Sequence, residues 1–404
     1  MDDVWPQQAS KKKCEHELTA NNTGNYRMPN KLKIINIVGA RPNFMKICPL
    51  VMAMNAQPNI EHLLVHTGQH YDEKMSKSFF EDLDLPEPDI NLGVGSGSHA
   101  EQTAKIMVAI EKVFLEEKPD LVIVVGDVNS TMACAITAKK LHIKVAHIEA
   151  GLRSHDMTMP EEINRLCTDV LSDYLFTTDK FANQNLLAEG VPQEKVFFVG
   201  NVMIDTLMTH IDKAKGLDVW QRFGATRGNY VAMTMHRPAN VDEREVLSRI
   251  FEALQNIALT LPIIFPIHPR TARMLHSFGL EDLVRPLAES RNAITSGIWS
   301  CEPLGYLDFL NLYMNARFVL TDSGGLQEET TVLGIPCLTM RPNTERPITV
   351  SLGTNVVVGN TPERILKSAN DILSGNFKKG QIPSKWDGKA GERIVDILSR
   401  EFSL

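Results

Sequence analysis

From residue 31 onward, short apolar runs recur along the chain, each followed by a stretch with helical spacing of apolar and polar positions. KIINIV (33–38) precedes a helix opened by Pro42, HLLVHTG (62–68) is the next run, and DLVIVVGD (120–127) is almost continuously apolar. KVAHIEAG (144–151), YLFTT (174–178) and KVFFVG (195–200) complete a first series. Unbroken apolar runs between helices predict parallel strands buried on both faces. The pattern then restarts with NYVAMTMH (229–236), PIIFPIH (262–268), RFVLTDSGG (317–325), IPCLTM (335–340) and VSLGTNVVVG (350–359). Two consecutive strand–helix series predict an α/β protein of two doubly wound, Rossmann-like domains, residues 31–200 and 201–404. The periodic segment ERIVDILSREF (392–402) predicts a last helix able to pack on either half.

Residues 1–30 break this pattern. They are polar and aperiodic, and no apolar core follows Lys11-Lys12-Lys13, so a disordered tail is predicted in place of a secretory signal. Elsewhere the composition serves mainly to exclude. A net charge of −7 without a long basic stretch argues against a nucleic-acid partner. No apolar run approaches the roughly 18 residues of a membrane span. The six cysteines are scattered and form no C-x-x-C pair, which predicts reduced cytosolic thiols, no disulfide scaffold and no metal site.

Ligands of open parallel sheets bind beyond the carboxyl ends of the strands, so the residues after each strand carry the chemistry. After the first strand, Arg41 and Lys46 flank a Pro42-initiated helix start suited to an anion. Gln69 and His70 follow the second strand. Asp127 stands where the most apolar strand ends, with capping of the next helix by Asp127 or Asn129 as the competing explanation. The densest stretch, HIEAGLRSHDMTMPEEINR (147–165), holds Glu149, Arg153, Glu161, Glu162 and Arg165. Glu149 is expected to leave the sheet edge into a cleft. Glu161 and Glu162 open a helix after Pro160, where the dipole favours acids in any case. In the second half His236, Arg237 and His268 lie at strand ends. Ser323-Gly324-Gly325 opens a helix whose amides suit a diphosphate, and Glu329 lies one turn in, placed to hold ribose hydroxyls. The near-miss GVGSGS (93–98) has Ser98 at the third glycine position and follows no buried strand, so a nicotinamide cofactor is not supported.

Taken together, GARPNFMK (39–46), HTGQHYD (66–72), VVGDVNST (124–131), HIEAGLRS (147–154), MPEEINR (159–165), MHRP (235–238), TDSGGLQEE (321–329) and TERP (344–347) resemble the non-hydrolysing UDP-N-acetylglucosamine 2-epimerase family. The resemblance runs from about residue 32 to the C-terminus and implies a GT-B fold with the active site between two Rossmann-like domains. It implies interconversion of UDP-N-acetylglucosamine and UDP-N-acetylmannosamine without cofactor or metal, by elimination of UDP through 2-acetamidoglucal. A cytosolic homodimer serving surface-polysaccharide synthesis is implied as well. By motif, Asp127, Glu149 and Glu161 correspond to catalytic carboxylates and His236 to a histidine that helps UDP leave. Arg41, Lys46, Ser323, Gly324, Gly325 and Arg346 correspond to diphosphate or sugar contacts, Glu329 to the ribose ligand and Phe309 to the uracil pocket. Gln69, His70, Glu162, Arg237 and His268 match part of an allosteric substrate site of bacterial members.

The chain departs from the family in three places. Pro238-Ala239 follow His236-Arg237 where an HRRE-like run is common, Ile348 follows TERP where an acid is frequent, and Ser96-Gly97 replace an Arg-Gln pair of the allosteric site. The alternatives are an epimerase of another UDP-2-acetamido sugar, a hydrolysing epimerase releasing free N-acetylmannosamine, a retaining GT-B glycosyltransferase, and a nucleotide-sugar sensor without turnover.

Overall fold

The computed structural model describes residues 31–69, 83, 87–287 and 293–404; the tail predicted for 1–30 and His70 lie outside them. The described residues form two parallel sheets of seven strands. The first contains β1 (Leu32–Val38), β2 (Ile60–His66), β3 (Ile90–Asn91), β4 (Leu121–Val125), β5 (Lys144–Ala150), β6 (Tyr174–Thr177) and β7 (Val196–Phe198), in the order β3-β2-β1-β4-β5-β6-β7. The second contains β8 (Val231–Thr234), β9 (Ile263–Pro266), β10 (Arg285–Pro286), β11 (Ile298–Cys301), β12 (Phe318–Thr321), β13 (Cys337–Thr339) and β14 (Asn355–Val357), in the order β10-β11-β9-β8-β12-β13-β14. Burial on both faces explains the unbroken apolar runs: every residue of LVIVV in β4 and of FVLT in β12 is buried.

The strand order reverses between β1 and β4 in the first sheet and between β8 and β12 in the second. Such switch points open a crevice at the strands' carboxyl ends. The segments singled out above, after β1, β4, β8 and β12, therefore all flank one of the two crevices.

The hydrophobic pattern did not anticipate β3, β10 or β11. β3 and β10 are edge pieces of two residues each, too short to show a period, and β11 is a four-residue strand with only Ile298 buried. It also overextended the last strand. Pro347 opens a helix, Pro347–Ser351, and only Asn355–Val357 pairs with β13. Proline at a first helical position is pre-set for helix, and the apolar residues after it carry no periodicity that marks the change.

The helices Arg41–Asn55, Val202–Lys215 and Ala390–Glu401 pack on one another and carry one core from the first sheet towards the second. The Thr206 hydroxyl donates to the carbonyl of Met45 (2.5 Å). The amides of Ala390 and Gly391 donate to the Asp205 carboxylate (3.0 and 2.7 Å), so the linker helix caps the last helix and holds it on the first half. Gly200, which follows β7, has a φ of +98°, and a Cβ there would stand 2.0 Å from the Lys385 carbonyl, which leaves room only for glycine. Among the described residues no helix is long and apolar enough to cross a membrane.

Candidate active site

A cavity of about 470 Å³ lies where the strand ends of the two halves face each other, within the range of about 300–1,000 Å³ usual for ligand pockets. Its second-half wall is built around the start of the helix Gly324–Leu333. The N-cap, Ser323, makes no side-chain capping bond, so the first-turn amides keep unspent donor capacity beside the cavity. The two glycines there have different reasons. A Cβ on Gly324 would lie 2.5 Å from an Arg346 nitrogen, so the protein's own packing requires glycine. A Cβ on Gly325 would meet nothing closer than the Met203 methyl at 3.7 Å, so the clearance it provides opens onto the cavity.

Arg346 lines the same wall and is buried against two carboxylates, with Nε 2.9 Å from Glu328 and Nη1 2.5 Å from Glu345. Burial disfavours its charge, but Glu328, Glu345 and the more distant Glu149 outweigh this and push its pKa up. Glu345 also pairs with Arg341 (2.9 Å). Burial opposes ionisation of Glu345, yet Arg346 and Arg341 hold its carboxyl well below the usual range. Glu329, one turn into the helix, accepts one hydroxyl from Tyr306 and one from Tyr313, each at 2.8 Å. Burial pushes its pKa up to about 7, against the pull of both hydroxyls. Phe309 stands edge-on to the Tyr313 ring, with centroids 5.2 Å apart.

The loop after β8 is held from beneath by Asp322. This fully buried carboxylate accepts the amides of His236 and Arg237 (2.9 and 2.7 Å) and lies 3.1 Å from Nδ1 of His236. Burial opposes its ionisation, but the His236 contact and the two amides hold its pKa below the ordinary value. A carboxylate on Nδ1 fixes the ring and leaves Nε2 available to the cavity that His236 lines. His268 stacks 5.3 Å from His236, and burial followed by the His236 charge lowers its pKa.

The first-half wall carries the acids. Asp127 follows β4, and Val128 is the N-cap of the next helix without a side-chain capping bond, so neither Asp127 nor Asn129 caps it. The Asp127 carboxylate takes a 2.6 Å bond from Arg165, and its backbone carbonyl accepts the side-chain amide of Asn164 (2.9 Å). Glu161 lines the cavity and has no hydrogen-bond or ion-pair partner among the described residues. Glu149 belongs to β5 itself, where the pairing with β6 shifts between Ile148 and Ala150 and Glu149 adopts a φ of +69°. Such bulges re-aim a side chain, and a non-glycine residue held there carries strain typical of functional sites. Here the side chain turns inward onto Lys46, leaving Oε1 buried without a partner. Lys46 lines the cavity and Glu149 stands behind it.

Of the other predicted positions, Arg237 lines the cavity, and Arg41 opens the first helix. Gln69 does not reach the cavity; it is buried and accepts the amide and hydroxyl of Ser130 (3.2 and 2.7 Å). Glu162 is also buried and directed inward, beneath Arg165. Sequence reasoning gave no role to Arg165, Asp322, Glu328, Glu345, Tyr306 or Tyr313. The two tyrosines had a usable signal, a seven-residue spacing on one helix, whereas the buried ion pairs join segments far apart in sequence.

The family model for UDP-N-acetylglucosamine 2-epimerase matches residues 52–399. The UDP-N-acetylglucosamine 2-epimerase of Methanocaldococcus jannaschii is 44% identical over 373 residues, covering 91% of this chain and 99% of its own length. The UDP-2,3-diacetamido-2,3-dideoxy-D-glucuronate 2-epimerase of Pseudomonas aeruginosa is 39% identical over 376 residues, covering 91% of this chain and 100% of its own. The crystal structure of the M. jannaschii enzyme in complex with UDP-GlcNAc and UDP is similar with a TM-score of 0.81 at 44% identity, covering 91% of this chain and 100% of that one. The two facing Rossmann-like sheets are those of a GT-B fold.

Proposed function

The chain belongs to the UDP-N-acetylglucosamine 2-epimerase family, and from that premise we propose that it interconverts UDP-N-acetylglucosamine and UDP-N-acetylmannosamine. One observation carries the reading. An anion-binding helix start with Arg346 and a pair of carboxylates, Asp127 and Glu161, line one cavity from opposite halves. A UDP-sugar spanning the cavity would lay its diphosphate on the former and its sugar beside the latter. Glu329 and its tyrosines suit the ribose, and Phe309 suits the uracil face.

The chemistry asks for this division. The C2 proton of the sugar is not next to a carbonyl, so direct abstraction is slow. Cleavage of the C1–oxygen bond lets UDP depart with the electron pair, and loss of the C2 proton to a base leaves a C1=C2 double bond, 2-acetamidoglucal. Protonation of C2 on the other face and return of UDP to C1 give the epimer. Asp127 and Glu161, which line the cavity, are assigned to proton transfer and to stabilising the oxocarbenium-like charge, Glu149 to holding the Lys46 ammonium from behind, and His236 to the departing UDP. The charges of Lys46 and Arg346, together with the Gly324 and Gly325 amides, favour the UDP anion while it is detached. Glu161 needs no rearrangement for its part, since no group among the described residues occupies its carboxylate.

A related UDP-2-acetamido sugar is the second reading, supported by the 39% identity to the P. aeruginosa enzyme named for a diacetamido uronate. Incubation with each UDP-sugar, followed by chromatographic separation, tests both. The reading expects UDP-N-acetylmannosamine from UDP-N-acetylglucosamine. Free N-acetylmannosamine appearing with an equal amount of UDP would replace it by hydrolysis, and turnover of the diacetamido sugar alone would replace the substrate.

The two halves are taken as two domains meeting at Gly200-Asn201. A homodimer is part of the proposal. Val108 and Leu115 on the helix His99–Glu117, and Ile163 and Val170 on the helix Pro160–Leu171, are exposed apolar pairs at seven-residue spacing that a second copy would cover. Cys134, Cys167, Cys301 and Cys337 are free thiols, which accords with a cytosolic enzyme serving surface-polysaccharide synthesis.

A further inference from the structure

We propose that Arg165, gripped by Glu162, is a positioning residue that fixes the Asp127 carboxylate for the epimerisation step; this rests on the epimerase reading above. The geometry forms a chain of three charges. Arg165 is 2% exposed, although it lies at the cavity wall. Its Nε and Nη2 both engage Oε2 of Glu162 (3.1 and 2.7 Å), and its Nη1 reaches Oδ2 of Asp127 at 2.6 Å. A guanidinium held on two nitrogens cannot swing, so the third nitrogen aims in one direction.

Glu162 is itself immobilised. Its Oε2 also accepts the amide and hydroxyl of Ser154 (2.9 and 3.0 Å), and its Oε1 accepts the amide of His155 (2.9 Å). Burial disfavours its charge, but these amides and Arg165 outweigh that and hold its carboxyl below the usual range. Four of the five donors converge on Oε2 and one reaches Oε1, and the side chain is 2% exposed, so the carboxylate is held facing inward. The buried Glu162 carboxylate thereby grips Arg165.

The consequence falls on Asp127. One carboxylate oxygen is spent on Arg165 and the backbone carbonyl is tied to Asn164, so both the position and the rotation of the acid are set. The other oxygen has no partner among the described residues and stays available to the sugar. Displacing a reacting group by about 1 Å can cost on the order of 100-fold in rate. Lysine at 165 keeps the charge and loses the fork, while glutamine at 162 keeps the shape and places an NH₂ against existing donors.

The test is a pair of double-mutant cycles: Arg165→Lys and Glu162→Gln, each made in wild type and in Asp127→Asn, with kcat, KM and UDP affinity measured. Deuterium entry at C2 in the wild type is checked first. Its absence would sink the epimerase reading, independently of this proposal. With exchange established, Arg165→Lys is expected to lower kcat about 10- to 100-fold, and Glu162→Gln about tenfold, with KM and UDP affinity within threefold. In the Asp127→Asn background either change should cost less than threefold, because the group it positions is already gone. Equal losses in both backgrounds, or a rise in KM matching the fall in kcat, would overturn the proposal. Should Arg165→Lys fail to fold, the Glu162→Gln cycle decides by the same criterion.

Discussion

An alanine at position 325 would add one methyl to the first turn of the helix Gly324–Leu333, with the Met203 methyl at 3.7 Å as its nearest protein neighbour. That is ordinary van der Waals contact, so the folded protein loses nothing. Glycine in a helix interior costs about 0.5–1 kcal/mol relative to alanine, and the first turn should recover roughly the lower figure. Ligand-free Gly325→Ala is therefore expected to melt at or slightly above the wild-type temperature. Binding should move the other way. The methyl occupies the clearance through which a diphosphate oxygen would reach the helix-start amides, and one lost charge-assisted hydrogen bond is worth about 1.5–3 kcal/mol, or roughly 10- to 150-fold in UDP affinity. Gly325→Asp adds like charge and should abolish binding. Gly324→Ala is the control with the opposite signature. Its Cβ would stand 2.5 Å from Arg346 and 2.9 Å from Glu345, an overpacking that costs about 1–3 kcal/mol of stability. Thermal melts without ligand and titration calorimetry with UDP separate the two effects. Unchanged UDP affinity in a well-folded Gly325→Ala protein would remove this helix start from the diphosphate site.

The carboxylate assignments predict that Asp127→Asn and Glu161→Gln each lose at least about 10²–10⁴-fold in kcat, with UDP affinity little changed; two near-normal rates would end the carboxylate mechanism. Glu162→Gln should fall less than Glu161→Gln, since only Glu161 lines the cavity. Burial raises Glu329 to about 7, so ionised Glu329 becomes the major form only as pH climbs through that value. If ribose hydroxyls donate to the carboxylate, uridine, which carries no phosphate, should bind up to about tenfold tighter at pH 8 than at pH 6, and Glu329→Gln should flatten the dependence. An equal pH dependence in that variant would detach Glu329 from the ribose.

Much of this architecture was legible because fully buried parallel strands write themselves as unbroken apolar runs, as LVIVV of β4 shows. The edge strands were not: β10 is two residues with both side chains exposed, and nothing in Arg285-Pro286 distinguishes it from a loop. At the cavity, residues immediately after strands were readable, and Asp127, His236 and Gly325 all line it. Residues defined by a distant partner were not. Asp322 precedes the glycines it was read with, yet its contacts run to the loop after β8. Arg165 ends a motif as an ordinary helical arginine, and only the fold reveals that it joins Glu162 to Asp127. Glu149 shows the limit most clearly. Its acid was legible, but a bulge with positive φ turns it behind Lys46, and no local sequence signal encodes that turn.

The most direct measurement is the fate of the C2 hydrogen. The protein is incubated with UDP-N-acetylglucosamine in D₂O and the UDP-sugars are read by proton NMR. Removal and return of a proton at C2 predict UDP-N-acetylmannosamine deuterated at C2, with deuterium accumulating at C2 of the recovered substrate. UDP-N-acetylmannosamine formed with protium retained at C2, or no second UDP-sugar at all, would contradict the account.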